Sequence, residues 1–132
     1  MGILKTLSLA MALSMGIPHH SAALTEGRPD DRAQIFATCL GRYSAEVTHL
    51  WLMREDATAA ESRRALYQML FDAAAPRSGI SPPLLLDMRI RAKMAQAHLL
   101  HIASFHTDPA NRTRAAAAAR RAMRPCAALI LA

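Results

Sequence analysis

Two cysteines, Cys39 and Cys126, stand 87 positions apart in a chain of 132 residues. If they pair, an early part of the chain must meet its end, and few arrangements of helices or strands achieve that. Pairing depends on compartment, because disulfides persist in exported proteins and are rare in the cytosol. The first residues speak to this. "MGILKTLSLAMALSMGIPHHSAA" carries Lys5, an apolar run from Thr6 to Ile17, and small residues at Ser21, Ala22 and Ala23, where signal peptidase reads. The apolar run is about twelve residues, short of the roughly 20 that a membrane-spanning helix needs. No cysteine follows the expected cleavage position, so the lipoprotein pattern is absent. We expect a cleaved secretory leader over residues 1–23 and a single helical domain over residues 24–132. The expected location is the bacterial periplasm or the medium. In that setting a structural Cys39–Cys126 disulfide is the default.

Composition then selects helix. The chain is 52% hydrophobic with only five glycines, and its apolar residues are mainly alanine, leucine and methionine. Beta-branched and aromatic residues, which favour strands, are sparse. Pro29 with Asp30 and Asp31 suits a helix N-terminus. From there Phe36, Cys39, Leu40, Tyr43, Val47, Leu50 and Trp51 fall within an arc of roughly 120°. This predicts a first amphipathic helix with Cys39 and Trp51 on its buried face and His49 off it. Thr58-Ala-Ala-Glu61 reads as a capping box opening a second helix. Leu66, Met69, Leu70 and Ala73 are its expected inner side, widened by Tyr67 and Phe71. Ser81-Pro82 opens a third helix that runs to about Phe105, and Asp108-Pro109 opens a fourth. Pro125 is expected to kink or end that last helix.

Four helices with short connections predict an all-α fold, a small antiparallel bundle in up-down-up-down order. In that order the first and last helices run antiparallel, which places Cys39 beside Cys126. Cys126 shares an apolar arc with Ala115, Ala118, Ala119, Ala122, Met123 and Leu129. One disulfide would then join the first helix to the last. The methionines at 53, 69, 88, 94 and 123 are expected as core filler.

Catalytic signatures are missing: the sequence has no Gly-x-Ser-x-Gly, no phosphate loop, no His-Glu-x-x-His and no Cys-x-x-Cys. A non-enzymatic role is the reading. Sixteen Lys and Arg against ten Asp and Glu give a formal charge of +6, and fourteen of the sixteen are arginine. Export argues against a nucleic-acid partner. Arg114, Arg120, Arg121 and Arg124 share one face of the fourth helix, opposite its apolar side, and four guanidinium groups there suit an acidic protein or an anionic membrane surface. The sequence thus points to an exported interaction or accessory module. A solvated face would look the same. The alternative is a ligand-binding bundle holding copper or non-covalent haem through Met94, His98 and His101 of the third helix. Imidazoles three apart share a helix side, and a thioether beside them suits copper. Against this, His98 shares a stripe with Asp87 and Arg91, while His101 lies beside Ile90 and Met94 as a half-buried histidine would. Covalent c-type haem has no attachment motif here.

Overall fold

The computed structural model describes residues 29–131. They form α1 (Pro29–Met53), α2 (Thr58–Ala74) followed by a 3-10 turn (Ala75–Arg77), α3 (Pro82–Phe105) and α4 (Pro109–Leu131). Among the described residues the protein is all-helical, and Cys39 and Cys126 are bonded, with their Cα atoms 5.6 Å apart. The expected leader, and the first residues expected after it, lie outside the described residues. No helix among those described is long and apolar enough to cross a membrane.

Proline begins α1, α3 and α4, because the first turn has no intrahelical use for its missing N–H. Asp108 completes the start of α4, its Oδ1 accepting from the Ala110 N–H at 2.9 Å. The end of α1 is a Schellman turn. Arg54 takes φ 57°, its N–H reaches the Trp51 carbonyl, and the Glu55 N–H reaches the Leu50 carbonyl. The capping box at Thr58 does not form. Asp56 supplies the cap instead, accepting from both the Thr58 N–H (2.9 Å) and its hydroxyl (2.6 Å). Those two bonds hold the Asp56 carboxyl below the usual carboxylate range.

α1 is the central helix, packed mainly on α2 and α3 and meeting α4 near Cys39 and Arg42, so its middle from Phe36 to Val47 is buried or half-buried while Ile35 and the end from Trp51 to Met53 are exposed. Phe36, Cys39, Leu40 and Tyr43 face a cluster centred on Tyr67 of α2, which is fully buried. The Tyr43 and Tyr67 rings stack with centroids 5.5 Å apart. A second side of α1 carries Ala33, Ala37, Gly41 and Ala45, spaced four apart and all buried. These small residues form a shallow ridge on which α3 lies close, with Leu85 seated at its start. The closest approach is at Gly41, where a Cβ would stand 2.2 Å from the Arg89 carbonyl oxygen.

Several sequence expectations are corrected. Trp51 is 54% exposed. Its indole N–H donates to Glu61 Oε1 at 3.0 Å and the Arg64 guanidinium sits 5.9 Å from its ring centroid, polar partners that hold the ring at the surface. On α2, Tyr67 rather than Met69 points to the core, and Met69 is exposed. Met53 and Met94 are exposed as well, so core filling describes Met88 and Met123, which are half-buried, but not these three. Leu129, expected on the inner arc of α4, is half exposed.

Pro125 neither ends nor breaks α4, which continues to Leu131. A proline removes one backbone bond and crowds the carbonyl four residues before it. The surrounding turn is held from outside: Arg42 Nη1 donates to the Ala122 carbonyl at 2.7 Å, and the Tyr67 hydroxyl donates to the Cys126 carbonyl at 2.5 Å. The disulfide adds a covalent tie at the same level. Burial beside Tyr43 raises the Tyr67 pKa, with Arg63 partly offsetting the rise. A phenol whose pKa is higher folded than unfolded contributes stability that is present below about pH 10 and lost as pH rises beyond it. Tyr67→Phe removes the bond to α4 and is expected to cost about 1–2 kcal/mol in urea unfolding at pH 7. The variant should also lack the loss of stability above about pH 10 that this phenol causes. Unchanged stability at both pH values would show that the hydroxyl does not anchor α4.

Candidate functional site

On α4, the inner side packs on α3 through Ala115 and Ala119, both buried, while the opposite side carries arginine. Arg114, Arg120, Arg121 and Arg124 are all exposed. None of the four is in an ion pair among the described residues, where Arg91 with Asp87 is the one salt bridge. Arg114 donates to Asn111 on its own helix. What such a face offers is a set of planar donors matched to carboxylate or phosphate oxygens.

Beside this face runs a groove of about 560 Å³, with α2 and α4 as its walls and α1 and the end of α3 as its floor. α2 and α4 make no extended packing with one another, which leaves the seam between them open. Its walls are mostly small, with Ala59 and Ala60 on α2 and Ala116, Ala119 and Ala127 on α4. Arg120 and Arg124 reach its edge, and Arg63 enters from α2. Arg63 Nη1 is buried and has no hydrogen-bond partner. On the floor, Glu46 accepts from Gln96 Nε2 at 2.7 Å, and His49 Nε2 lies 3.1 Å from the Ser104 hydroxyl. Gln96 is itself buried, and its Oε1 has no partner.

The third-helix candidates lie elsewhere. Met94, His98 and His101 line a cleft of about 380 Å³ between α1 and α3, together with His49, Leu52 and Phe105. His98 and His101 are both exposed, so the half-buried position expected for His101 is corrected. The cause is that Ile90 and Met94 beside it also face outward, where no helix covers them. The His101 ring instead packs on Phe105, with centroids 5.1 Å apart. Among the described residues no three His, Cys, Asp or Glu side chains gather as a metal-holding group. His49, placed off the buried face by the wheel, is half-buried between this cleft and the larger groove.

Sequence reading found the arginine face and missed the groove, together with Arg63, Glu46 and Gln96. A signal for one was present. Gln96 sits on the arc of Leu85, Ala92 and Leu99, and a lone amide among inward apolar residues marks a buried polar contact. Arg63 carried no such signal, because its burial depends on how α2 meets α1 and α4. The chain matches no protein-family model, no curated protein and no solved structure.

Proposed function

We propose that this protein is an exported, non-catalytic helical module that docks on an acidic partner through the arginine face of α4. The proposed frame is an antiparallel up-down-up-down bundle in the periplasm. Supporting that order, Trp51 meets Glu61 while Tyr43 meets Tyr67, Glu46 meets Gln96 while His49 meets Ser104, and Arg42 meets Ala122. The disulfide agrees with an oxidising compartment.

The observation that carries the docking reading is the set of four exposed guanidinium groups without a carboxylate partner among the described residues. Between an acidic protein and a membrane, the geometry favours the protein. The apolar side of α4 is turned onto α3, so the helix has little to insert into lipid. Charge alone contributes about 1 kcal/mol per arginine near an anionic surface, and about 4 kcal/mol in total corresponds to only millimolar binding. Arginine pairing with carboxylates in a fitted interface is stronger and directional.

Replacing Arg114, Arg120, Arg121 and Arg124 by glutamine should leave the circular dichroism and thermal midpoint close to those of the parent. Capture of cross-linked partners from host periplasm should fall by roughly tenfold or more, and capture by the parent should weaken with salt. Equal capture by parent and variant would remove this face from the mechanism. Pelleting of the parent with phosphatidylglycerol vesicles, without protein partners, would favour the membrane instead.

A further inference from the structure

The α2–α4 groove has features that the docking reading does not use. Its walls are alanine where leucine would have closed the seam, and most of the surface it offers is aliphatic. At about 560 Å³ it lies within the range of small-molecule sites. Three arginines line it, Arg63, Arg120 and Arg124, none of them in an ion pair among the described residues. The two carboxylates that line it are already engaged, Glu46 by Gln96 and Asp56 by Thr58. Arg63 is the decisive residue, half-buried on the α2 wall with its Nη1 unpartnered. A buried guanidinium N–H without an acceptor is costly, and in native proteins such a group has an explanation. The residues around it provide no acceptor for that N–H. Nη1 is closed to solvent where it lies, so a ligand's acceptor would pair with the guanidinium on a turn of the Arg63 side chain toward the groove, and the alanine walls would receive whatever apolar body the acceptor carried.

We propose that this groove binds a single-chain aliphatic carboxylate, with the head group accepting from Arg63 and the chain lying between α2 and α4. A carboxylate suits the site better than a dianion because Glu46 and Asp56 also line it. One chain suits the volume better than two. This site shares Arg120 and Arg124 with the arginine face, but its head group is held by Arg63, and Arg114 and Arg121 do not line the groove, so variants at Arg63 and at Arg114 with Arg121 separate the two readings.

The test is calorimetric titration of the disulfide-bonded protein with dodecanoate below its micelle concentration. Dodecyltrimethylammonium serves as the same chain with the opposite charge, and butanoate as a carboxylate with a short chain. Dodecanoate is expected to bind with 1:1 stoichiometry and both controls to bind more weakly, by roughly tenfold or more. Arg63→Met should weaken dodecanoate by a similar factor while raising the thermal midpoint, because the unpartnered group is gone. Ala116→Leu fills the groove from α4 without touching Arg63 and should abolish binding even if the first variant folds poorly. Arg114→Gln with Arg121→Gln should leave dodecanoate binding unchanged. The proposal is overturned by no binding of dodecanoate, by equal binding of the two oppositely charged amphiphiles, or by binding that survives Ala116→Leu. Binding of phosphatidylglycerol vesicles in place of dodecanoate, lost on Ala116→Leu, would overturn the free acid in favour of a membrane lipid.

Discussion

Gly41→Ala is expected to lower the urea midpoint severely, with a net loss of about 3 kcal/mol or more. In an ordinary helix interior the same change is stabilising by about 1 kcal/mol, since alanine is the better helix former. Here the added Cβ would stand 2.2 Å from the Arg89 carbonyl oxygen, 3.0 Å from the Lys93 nitrogen and 3.1 Å from the Ala92 Cβ. Two of those atoms are backbone, so no side chain can swing aside, and α3 would have to move off the ridge. Leu85 and the buried Gln96 contacts would move with it. For a domain whose total stability is in the range of 5–15 kcal/mol, that loss brings the unfolded state within reach. Gly79→Ala gives the comparison. Gly79 has φ +70° and open space around its missing side chain, so its expected cost is the backbone cost alone, about 1–2 kcal/mol. A Gly41→Ala midpoint equal to or above the parent's would mean that α1 and α3 are not in contact at this point.

Removing the disulfide is expected to have the largest effect of all. The bond closes a loop of 87 residues, and in the chain-entropy model such a loop contributes about 4–5 kcal/mol. With both sulfurs buried, Cys39→Ala with Cys126→Ala also leaves a small void in the main cluster. The thermal midpoint of the double variant should fall by roughly 20 °C, and more steeply than that of Tyr67→Phe. The loss is expected to be felt first at α4, whose other ties to α1 and α2 are the Arg42 and Tyr67 hydrogen bonds. A midpoint within a few degrees of the parent would show that packing on α3 holds α4 without the bond.

Helix boundaries were readable because their chemistry is local. Pro29, Ser81 with Pro82, and Asp108 with Pro109 each act on their own first turn, and α3 ends at Phe105 as its pattern suggests. The Cys39–Cys126 pairing was readable because two facing arcs agreed with the oxidising compartment that the expected leader implies. Burial was read less well, and α1 explains why. A helical wheel weighted by large apolar side chains assumes one buried face, whereas α1 is covered on two sides, by α2 and by α3. Its second face is Ala33, Ala37, Gly41 and Ala45, which carry little hydrophobic weight and so were passed over. Their spacing of four was the available signal. On α3 the opposite error arose. Leu86, Ile90 and Met94 are exposed, so apolar character on that helix does not mark the core. The arginine face was legible because exposed charge on one helix side needs no tertiary information. Arg63 was not, because nothing local distinguishes it from Arg64, and only the meeting of three helices buries its Nη1.

The central position of α1 bears on how the molecule opens. The amides of its middle, from Phe36 to Val47, lie under α2 and α3, so their exchange with solvent deuterium should require unfolding of the whole domain. α2 and α4 flank the same seam without extended packing across it, so an outward excursion of either breaks few contacts with the other. Near Cys126 that excursion is blocked by a covalent bond, while the Pro109 end of α4 has no such restraint. The molecule is therefore expected to behave as a clasp pinned at one end. Its slow-exchanging spine is the middle of α1, and its looser arm is the first half of α4, which is held on α3 by Ala115 and Ala119 but is not tied across the seam.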